Sequence, residues 1–297
     1  MNNLSVIIPV GYDPEGLSIT LDSLKIQSGD VTLDVIVIND GADKDVTSVC
    51  NSFDVREFKF EKNVGPAMGR NYGVTVAQYD YIAFLDADVR ATKGWAIQII
   101  KSLQGNHFVG GAIEIDPQLI EGFFHQYDRL TAFDVETYMK AGHAPTANLA
   151  LRIDVFKKVG GFDPELRSGE DTEFGDRITS SLKFNCIYNK EAKIYHPPRG
   201  LKAQLIKRSR VVKGHLNLCI KYPDRYCKYE KVYLNPFYML RPPISLFKRL
   251  FSSNKDSFLK KLGFCFYGYL LKIYSFFCCV GYWVRRSEVK LETKRHN

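Results

Sequence analysis

The first 90 residues alternate between short apolar runs and helical segments, and this alternation constrains the fold more than any other feature. Residues 4–10 and 33–38 are rich in β-branched residues, as is typical of buried strands, and between them leucines recur at helical spacing. Two further strands are predicted at Arg56–Phe60 and Tyr81–Leu85. Such βαβ units predict an α/β, Rossmann-like fold with a mostly parallel central sheet flanked by helices.

Polar residues follow these predicted strands at the points where ligands bind in open α/β sheets. Asp86 and Asp88 come directly after the fourth strand, with one residue between them. Two carboxylates at this spacing can face one divalent cation, and such oxygen ligands suit Mg²⁺ or Mn²⁺, which also hold a nucleotide pyrophosphate. The alternative for an isolated Asp-x-Asp pair is a turn or a helix cap.

Three more candidates each have a functional and a structural interpretation. Asp40 ends the second strand and can accept a hydrogen bond from a nucleotide base, or belong only to a turn. Arg70 can bind a phosphate, hold a carboxylate, or lie on a helix surface. Glu170 and Asp171 can supply a general base, or favour a helix start through the macrodipole.

Taken in order, the motifs resemble those of family 2 glycosyltransferases with the GT-A fold, over roughly residues 4–200. The family implies an inverting transfer of a sugar from a nucleotide-diphospho-sugar, usually a UDP-sugar. The residues that carry the resemblance are Ser5 to Val10, Val37 to Gly41, Asn63 to Gly73, Phe84 to Asp88, Ala147 to Ala150, Gly160 to Asp163 and Glu170 to Phe174.

The resemblance also implies roles for individual residues. Asp171 would be the general base, and Asn148 and Glu170 would line the acceptor and sugar side. Asp88 and His196 would bind the metal, Mn²⁺ or Mg²⁺, although His196 can equally be a structural histidine. The nucleotide-sugar would be bound by Pro9, Asp40, Arg70, Asp86 and Ala87.

Two departures from the family pattern affect the base-binding side. An aromatic residue followed by asparagine usually comes after the first strand, whereas this chain has Gly11-Tyr12-Asp13. The second motif usually ends on paired aspartates, whereas this chain has Asn39-Asp40. The residues expected to contact the base therefore depart from the family pattern at two places.

The net charge of +8 suggests a nucleic-acid binder until it is divided along the chain. Residues 201–297 contain 21 lysines and arginines against 5 aspartates and glutamates, a net charge of +16. Residues 1–200 contain 20 and 28, a net charge of −8. An acidic catalytic region and a basic tail argue against nucleic acid as a partner.

The basic tail also contains the longest apolar segment, residues 262–284, whose one charge is Lys272. Its length suffices for a bilayer span, but the central lysine makes an interfacial helix an equal alternative. A buried helix of a soluble domain is the third interpretation. We therefore expect a catalytic domain at 1–200, with a nucleotide-binding half (1–90) and an acceptor half (91–200), followed by a helical membrane-associating region at 201–297.

Seven scattered cysteines and the lack of a signal-peptide pattern at the start of the sequence predict the cytoplasmic face of the cell membrane, with a peripheral or single-span attachment. The predicted function is sugar transfer to a hydroxyl of a glycan or lipid-linked acceptor, in polysaccharide or glycolipid biosynthesis. The alternatives are a sugar-1-phosphate nucleotidylyltransferase and a non-catalytic, membrane-tethered nucleotide-sugar binder.

Overall fold

A computed structural model describes residues 2–27, 31–181, 184–235, 237, 241, 244–251 and 257–295. The chain divides into two compact units. The first comprises Met1–Glu121 and Ala132–Pro198, and the second comprises Gly122–Thr131 and Arg199–Asn297.

The first unit is built on one eight-stranded sheet. Its strands follow one another in the order β3-β2-β1-β4-β7-β6-β8-β5 across the sheet. Their bounds are β1 Asn3–Val10, β2 Thr32–Asp40, β3 Arg56–Phe60, β4 Tyr81–Leu85, β5 Arg90–Ala91, β6 Phe108–Ile115, β7 Asn148–Arg152 and β8 Cys186–His196.

Helices connect these strands. In the first unit they are α1 Pro14–Lys25, α2 Lys44–Phe53, α3 Pro66–Thr75, α4 Trp95–Gly105, α6 Val135–Lys140, α7 Ile153–Val159 and α8 Glu170–Asp176. A 3₁₀ turn at Pro117–Leu119 and a π-helical turn at Arg177–Ser181 complete the described elements. The helices of the second unit are α5 Gly122–Thr131, α9 Leu201–Lys221, α10 Pro223–Leu234, α11 Ile244–Phe251 and α12 Phe258–Arg295.

The direction of the strands decides which residues meet at one edge of the sheet. β1 pairs in parallel with β2 and β4, β2 with β3, and β6 with β8. β7 is antiparallel to both β4 and β6, and β5 is antiparallel to β8. Six of the eight described strands therefore point the same way, which confirms the predicted α/β fold with a mixed, mostly parallel sheet.

The sheet is covered on both faces, as the apolar strands require. Along β1, Leu4, Val6 and Ile8 pack into one apolar cluster, which includes α1 and α4, while Ile7 packs into a second one with α3, α7 and α8. Successive side chains of a strand point to opposite faces, so a strand that is apolar throughout feeds two cores.

The structure gives Asp13 a local role. Pro14 occupies the first turn of α1, and the Asp13 side chain accepts a hydrogen bond from the amide of Gly16 at 2.9 Å. This is an N-cap, which satisfies one of the unpaired amides at a helix start. The departure at Gly11-Tyr12-Asp13 thus places a helix cap after β1.

The described part of the second unit is entirely helical. One apolar cluster joins Tyr127 of α5 to Leu246 of α11 and Phe264 of α12, and a smaller one joins Val212 of α9 to Cys279 of α12. By length and composition, one described stretch, Phe258–Arg286, is long and apolar enough to cross a membrane. This finding confirms the predicted apolar helix and is weak evidence for membrane association.

Candidate active site

The strongest candidate site lies where β4 and β8 end. Asp86 and Asp88 follow β4, and His196 is the last residue of β8. One ligand atom from each of these three residues lies within 4.8 Å of the others. The two carboxylates are about one-third exposed, whereas the imidazole is buried. Residues more than 100 positions apart therefore form one small acidic cluster.

The hydrogen bond of His196 fixes its tautomer. Nδ1 lies 2.7 Å from the carbonyl oxygen of Pro197. Since a carbonyl oxygen only accepts, Nδ1 carries the proton and donates it. In the neutral ring, Nε2 then presents its lone pair, 3.9 Å from Oδ1 of Asp88. A second partner that orients the ring in this way is typical of metal-binding histidines.

These three residues fit a divalent cation. Carboxylate oxygens suit Mg²⁺ and Mn²⁺, and an added imidazole is compatible with Mn²⁺. Two atoms bound to one such ion at about 2.1 Å each can lie up to about 4.2 Å apart. The distance of 3.9 Å between His196 and Asp88 falls within that limit. These residues form the candidate metal centre in the described part of the chain.

Arg70 connects this cluster to the next candidate residues. Its side chain is 4% exposed, with Nη2 3.2 Å from Asp86 Oδ1 and Nη1 3.2 Å from Glu170 Oε1. Its buried Nε has no hydrogen-bond partner among the residues that the structure describes. The sequence-based alternative of a surface arginine is therefore wrong, since the guanidinium bridges two carboxylates and retains one donor.

Asp171 lies in the first turn of α8, beside Glu170. Burial raises the pKa of its carboxyl, and hydrogen bonds from Thr172 and the charge of Arg70 limit that rise. The Thr172 amide donates to Oδ1 at 2.7 Å. A carboxylate with a raised pKa is a better proton acceptor, which suits a general base.

The structure places Asp40 in a different setting. Its two carboxylate oxygens accept hydrogen bonds from the amides of Val64 and Gly65, at 2.6 and 2.9 Å. The side chain is buried, so it holds the loop before α3. Contact with a nucleotide base stays a prediction for this residue.

Asn39 explains the second departure from the family pattern. Its amide nitrogen donates to the carbonyl of Asp43 and to the Glu57 carboxylate, both at 2.8 Å, and its oxygen accepts from the Asp43 amide at 3.0 Å. An aspartate could not donate to Glu57 and would repel it. The neutral amide is therefore required by its neighbours.

Asn148 begins β7 opposite Leu85, so it lies at the same edge as Asp86. Its side chain is fully buried, donates to the carbonyls of Ala112 and Ala192 at 2.9 Å each, and accepts from the Trp95 indole at 2.9 Å. These bonds tie β7 to three other elements, β6, β8 and α4. Its predicted place on the acceptor and sugar side stays a prediction.

The remaining predicted residues are positioned by their strands. Pro9 pairs with Ile38 in β1 and lies under Gly69 of α3, where a Cβ would approach the proline ring to 3.6 Å. Ala87 separates the two aspartates and packs against the apolar cluster that contains α1 and α4. The structure thus gathers the predicted donor-side residues at one edge of the sheet.

One pair at this edge was missed by the sequence analysis. Asp116 follows β6, and its amide donates to the carbonyl oxygen of His196 at 2.9 Å. Arg90 Nη2 lies 2.6 Å from Asp116 Oδ2. The rule that singled out Asp40 and Asp86, a polar residue directly after a strand, also applies to Asp116 and would have found it.

A family model described as "Glycosyl transferase family 2" matches residues 5–160, more than half of the chain. A "Pre-mycofactocin glycosyltransferase" from Mycobacterium tuberculosis is 28% identical over 244 residues, which covers 75% of this chain and 49% of that protein. The chain therefore spans about half the length of that relative.

Two solved structures are similar in fold. A mannosyltransferase, PcManGT from Pyrobaculum calidifontis in complex with GDP-Man and Mn²⁺, has a TM-score of 0.61 and 16% identity, covering 93% of this chain and 86% of its own. Residues 1–349 of TarS from S. aureus in complex with UDP give a TM-score of 0.52 and 17% identity, covering 84% and 78%. At these identities the likeness concerns the fold alone.

Proposed function

The chain belongs to the family 2 glycosyltransferases, and on that premise we propose that it is an inverting, metal-dependent enzyme. It transfers a sugar from a nucleotide-diphospho-sugar to a hydroxyl group of its acceptor. The observation that carries the proposal is the cluster of Asp86, Asp88 and His196, together with Arg70 and Asp171, at the edge of the sheet.

On the donor side, Asp88 and His196 would hold Mn²⁺ or Mg²⁺. A bound divalent cation would neutralise the negative charge that develops on the leaving diphosphate. Asp86 and Ala87 lie beside the ribose and diphosphate in this proposal. Arg70 fixes Asp86 through its hydrogen bond and offers its Nε, which bonds to none of the described residues, as a further donor.

On the acceptor side, Asp171 would take the proton of the attacking hydroxyl. Its raised pKa strengthens it as a base, because the proton is more favourably held once transferred. Glu170, which Arg70 holds by a hydrogen bond, would line the acceptor and sugar side. Asn148 would support that side through its buried hydrogen bonds. Attack from the face opposite the leaving group inverts the anomeric centre.

The finer identity of the substrates extends the proposal. We take the donor to be a UDP-sugar, with Pro9 and Asp40 on the side of the base. The acceptor is a glycan or a lipid-linked glycan, in polysaccharide or glycolipid biosynthesis. The basic, apolar residues 201–297 would associate with the membrane surface, and we take this surface to be the cytoplasmic face.

A donor panel tests this function. The purified chain is incubated with UDP-sugars and GDP-sugars, with Mn²⁺, with Mg²⁺ or with a chelator, and release of the nucleoside diphosphate is measured. We expect metal-dependent release from a UDP-sugar. Pyrophosphate formed from a nucleoside triphosphate and a sugar-1-phosphate would identify a nucleotidylyltransferase instead, and donor binding without any release would identify a non-catalytic binder.

A further inference from the structure

The C-terminal helix α12 has two different faces. Seven large apolar residues recur at helical spacing along it, and each is between 36% and 80% exposed. On a helical projection they fall within about 80°, a single stripe. We call this set the apolar stripe: Leu259, Leu262, Phe266, Leu270, Phe277, Val280 and Val284.

The opposite face of α12 is packed within the second unit. Phe264, Leu271 and Cys279 are buried there, at 0%, 3% and 0% exposure. The polar side chains of this face reach α9. Tyr267 donates to Gln204 at 3.1 Å, and Tyr282 donates to Asn217 at 2.5 Å. Residues 267–282 of α12 therefore run beside residues 204–217 of α9.

The composition of α9 decides how α12 can meet a membrane. Residues 204–217 contain Lys207, Arg208, Arg210 and Lys213 and no acidic residue. If α12 crossed the bilayer while packed in this way, α9 would enter the hydrocarbon beside it with four cations, which is strongly unfavourable. Only the apolar stripe can then meet lipid.

We propose that α12 lies in the plane of the membrane interface, with the apolar stripe inserted at the boundary between headgroups and acyl chains. The inference rests on the membrane association in the proposed function and specifies its geometry. An exposed apolar stripe beside a strongly charged partner helix is the arrangement of interfacial helices. Spanning by residues 262–284, another interpretation of the sequence, requires the packing against α9 to be absent.

Charge identifies the kind of lipid surface. The stripe belongs to a region with a net charge of +16, and Arg285 is exposed at its C-terminal end. The central Lys272 donates a hydrogen bond to the backbone carbonyl of Arg241. Lysines and arginines near an anionic membrane surface add attraction. The partner is therefore a bilayer with anionic headgroups.

Depth measurement along the stripe tests the geometry. Phe266→Trp and Phe277→Trp are made separately in a Trp283→Phe background of the full chain, where the remaining Trp95 is fully buried. Quenching by brominated lipids in vesicles that contain phosphatidylserine then gives the depth of each indole. The two positions are about 16 Å apart along the helix. We expect equal, shallow depths, and a depth difference near that length would overturn the in-plane inference while leaving membrane association intact.

Vesicle sedimentation tests the surface itself. The variant Phe266→Gln/Phe277→Gln removes two side chains that are each 64% exposed, and we expect about 100-fold weaker binding. Ile19→Gln, which replaces an exposed isoleucine of α1, is the matched control and should bind normally. Equal binding by the stripe variant, with the fold verified by circular dichroism, would overturn the inference. Failure of the unmodified chain to bind any vesicle would overturn both it and the proposed membrane association, but not the proposed sugar transfer.

Discussion

Two sets of polar residues meet at the same edge of the sheet, and their surroundings differ. Asp86, Asp88 and Asp171 are each only partly buried, and we call them the open set. The side chains of Asn39, Asp40 and Asn148 are buried and bonded to the chain, and we call them the held set. All six belong to the motifs that carry the family resemblance.

The comparison teaches that a motif residue can serve the reaction in two ways. A partly exposed carboxylate with room for a ligand can act on substrate or metal. A buried polar group must have its hydrogen bonds satisfied, so it specifies the backbone around the site. Substitutions in the open set should therefore remove activity, and those in the held set should lower stability first.

The largest expected effect is that of Asp88→Ala. Loss of one carboxylate from the cluster with Asp86 and His196 should reduce sugar transfer by about 10³ to 10⁴-fold, since charge stabilisation at the leaving group contributes several kcal/mol. The melting temperature should stay near that of the wild type. The exposed Asp22→Ala on α1 is the control. Unchanged transfer in a folded Asp88→Ala protein would remove Asp88 from the open set.

Asp171→Asn should come next, with a loss of about 10² to 10³-fold, because the amide cannot accept the proton of the hydroxyl. In the wild type, the transfer rate should fall as the pH drops through the raised pKa of Asp171, and the residual rate of the variant should lack this step. The measurement is a pH–rate profile of both proteins.

The same raised pKa has a consequence for stability. A carboxyl whose folded pKa exceeds its unfolded pKa destabilises the folded state when ionised, that is, above the folded pKa. Asp171→Asn should therefore melt at a higher temperature than the wild type at neutral pH. The difference should shrink as the pH falls through the folded pKa. A less stable variant at neutral pH would contradict the assignment of Asp171 to the open set.

Much of the fold could be predicted because its apolar strands are continuous. β3 and β4 have the predicted bounds. β8 continues past Tyr188 to His196 because residues 186–189 and 194–196 both pair with β6, on either side of an irregularity in register, whereas the mostly polar residues between them resemble a loop. Residues 122–140 contain two helices, α5 and α6, rather than one, since Asp134 caps α6.

The site could be predicted less completely, for a related reason. Asp86 and Asp88 could be predicted as site residues because they directly follow an apolar strand. The position of His196 beside them depends on the full length of β8, which comes from tertiary pairing. Whether Asp40 or Asn148 is open or held depends on partners such as Val64 and Trp95, far away in sequence. No local pattern contains that information.

Asn148→Ala should have the largest effect within the held set. It leaves two buried carbonyls and the Trp95 indole without their partner, which should lower the free energy of unfolding by about 2 to 4 kcal/mol. Chemical denaturation measures this loss. Activity per folded molecule should change less than tenfold. Normal stability combined with lost transfer would instead indicate a direct contact with the sugar.

Asp40→Asn should have the smallest effect, and it tests most directly whether Asp40 belongs to the held set. The amide oxygen can still accept from one of the two loop amides, but the NH₂ group faces the other, so we expect a loss of about 1 kcal/mol in stability. A loosened loop before α3 should raise the donor KM a few-fold, about two to five, with kcat nearly unchanged. The exposed Asp45→Asn on α2 serves as the control. Unchanged stability with lost discrimination between UDP-sugars and GDP-sugars would show that Asp40 contacts the base, and it would then leave the held set. A residue that only holds the loop would instead weaken the binding of both donors alike.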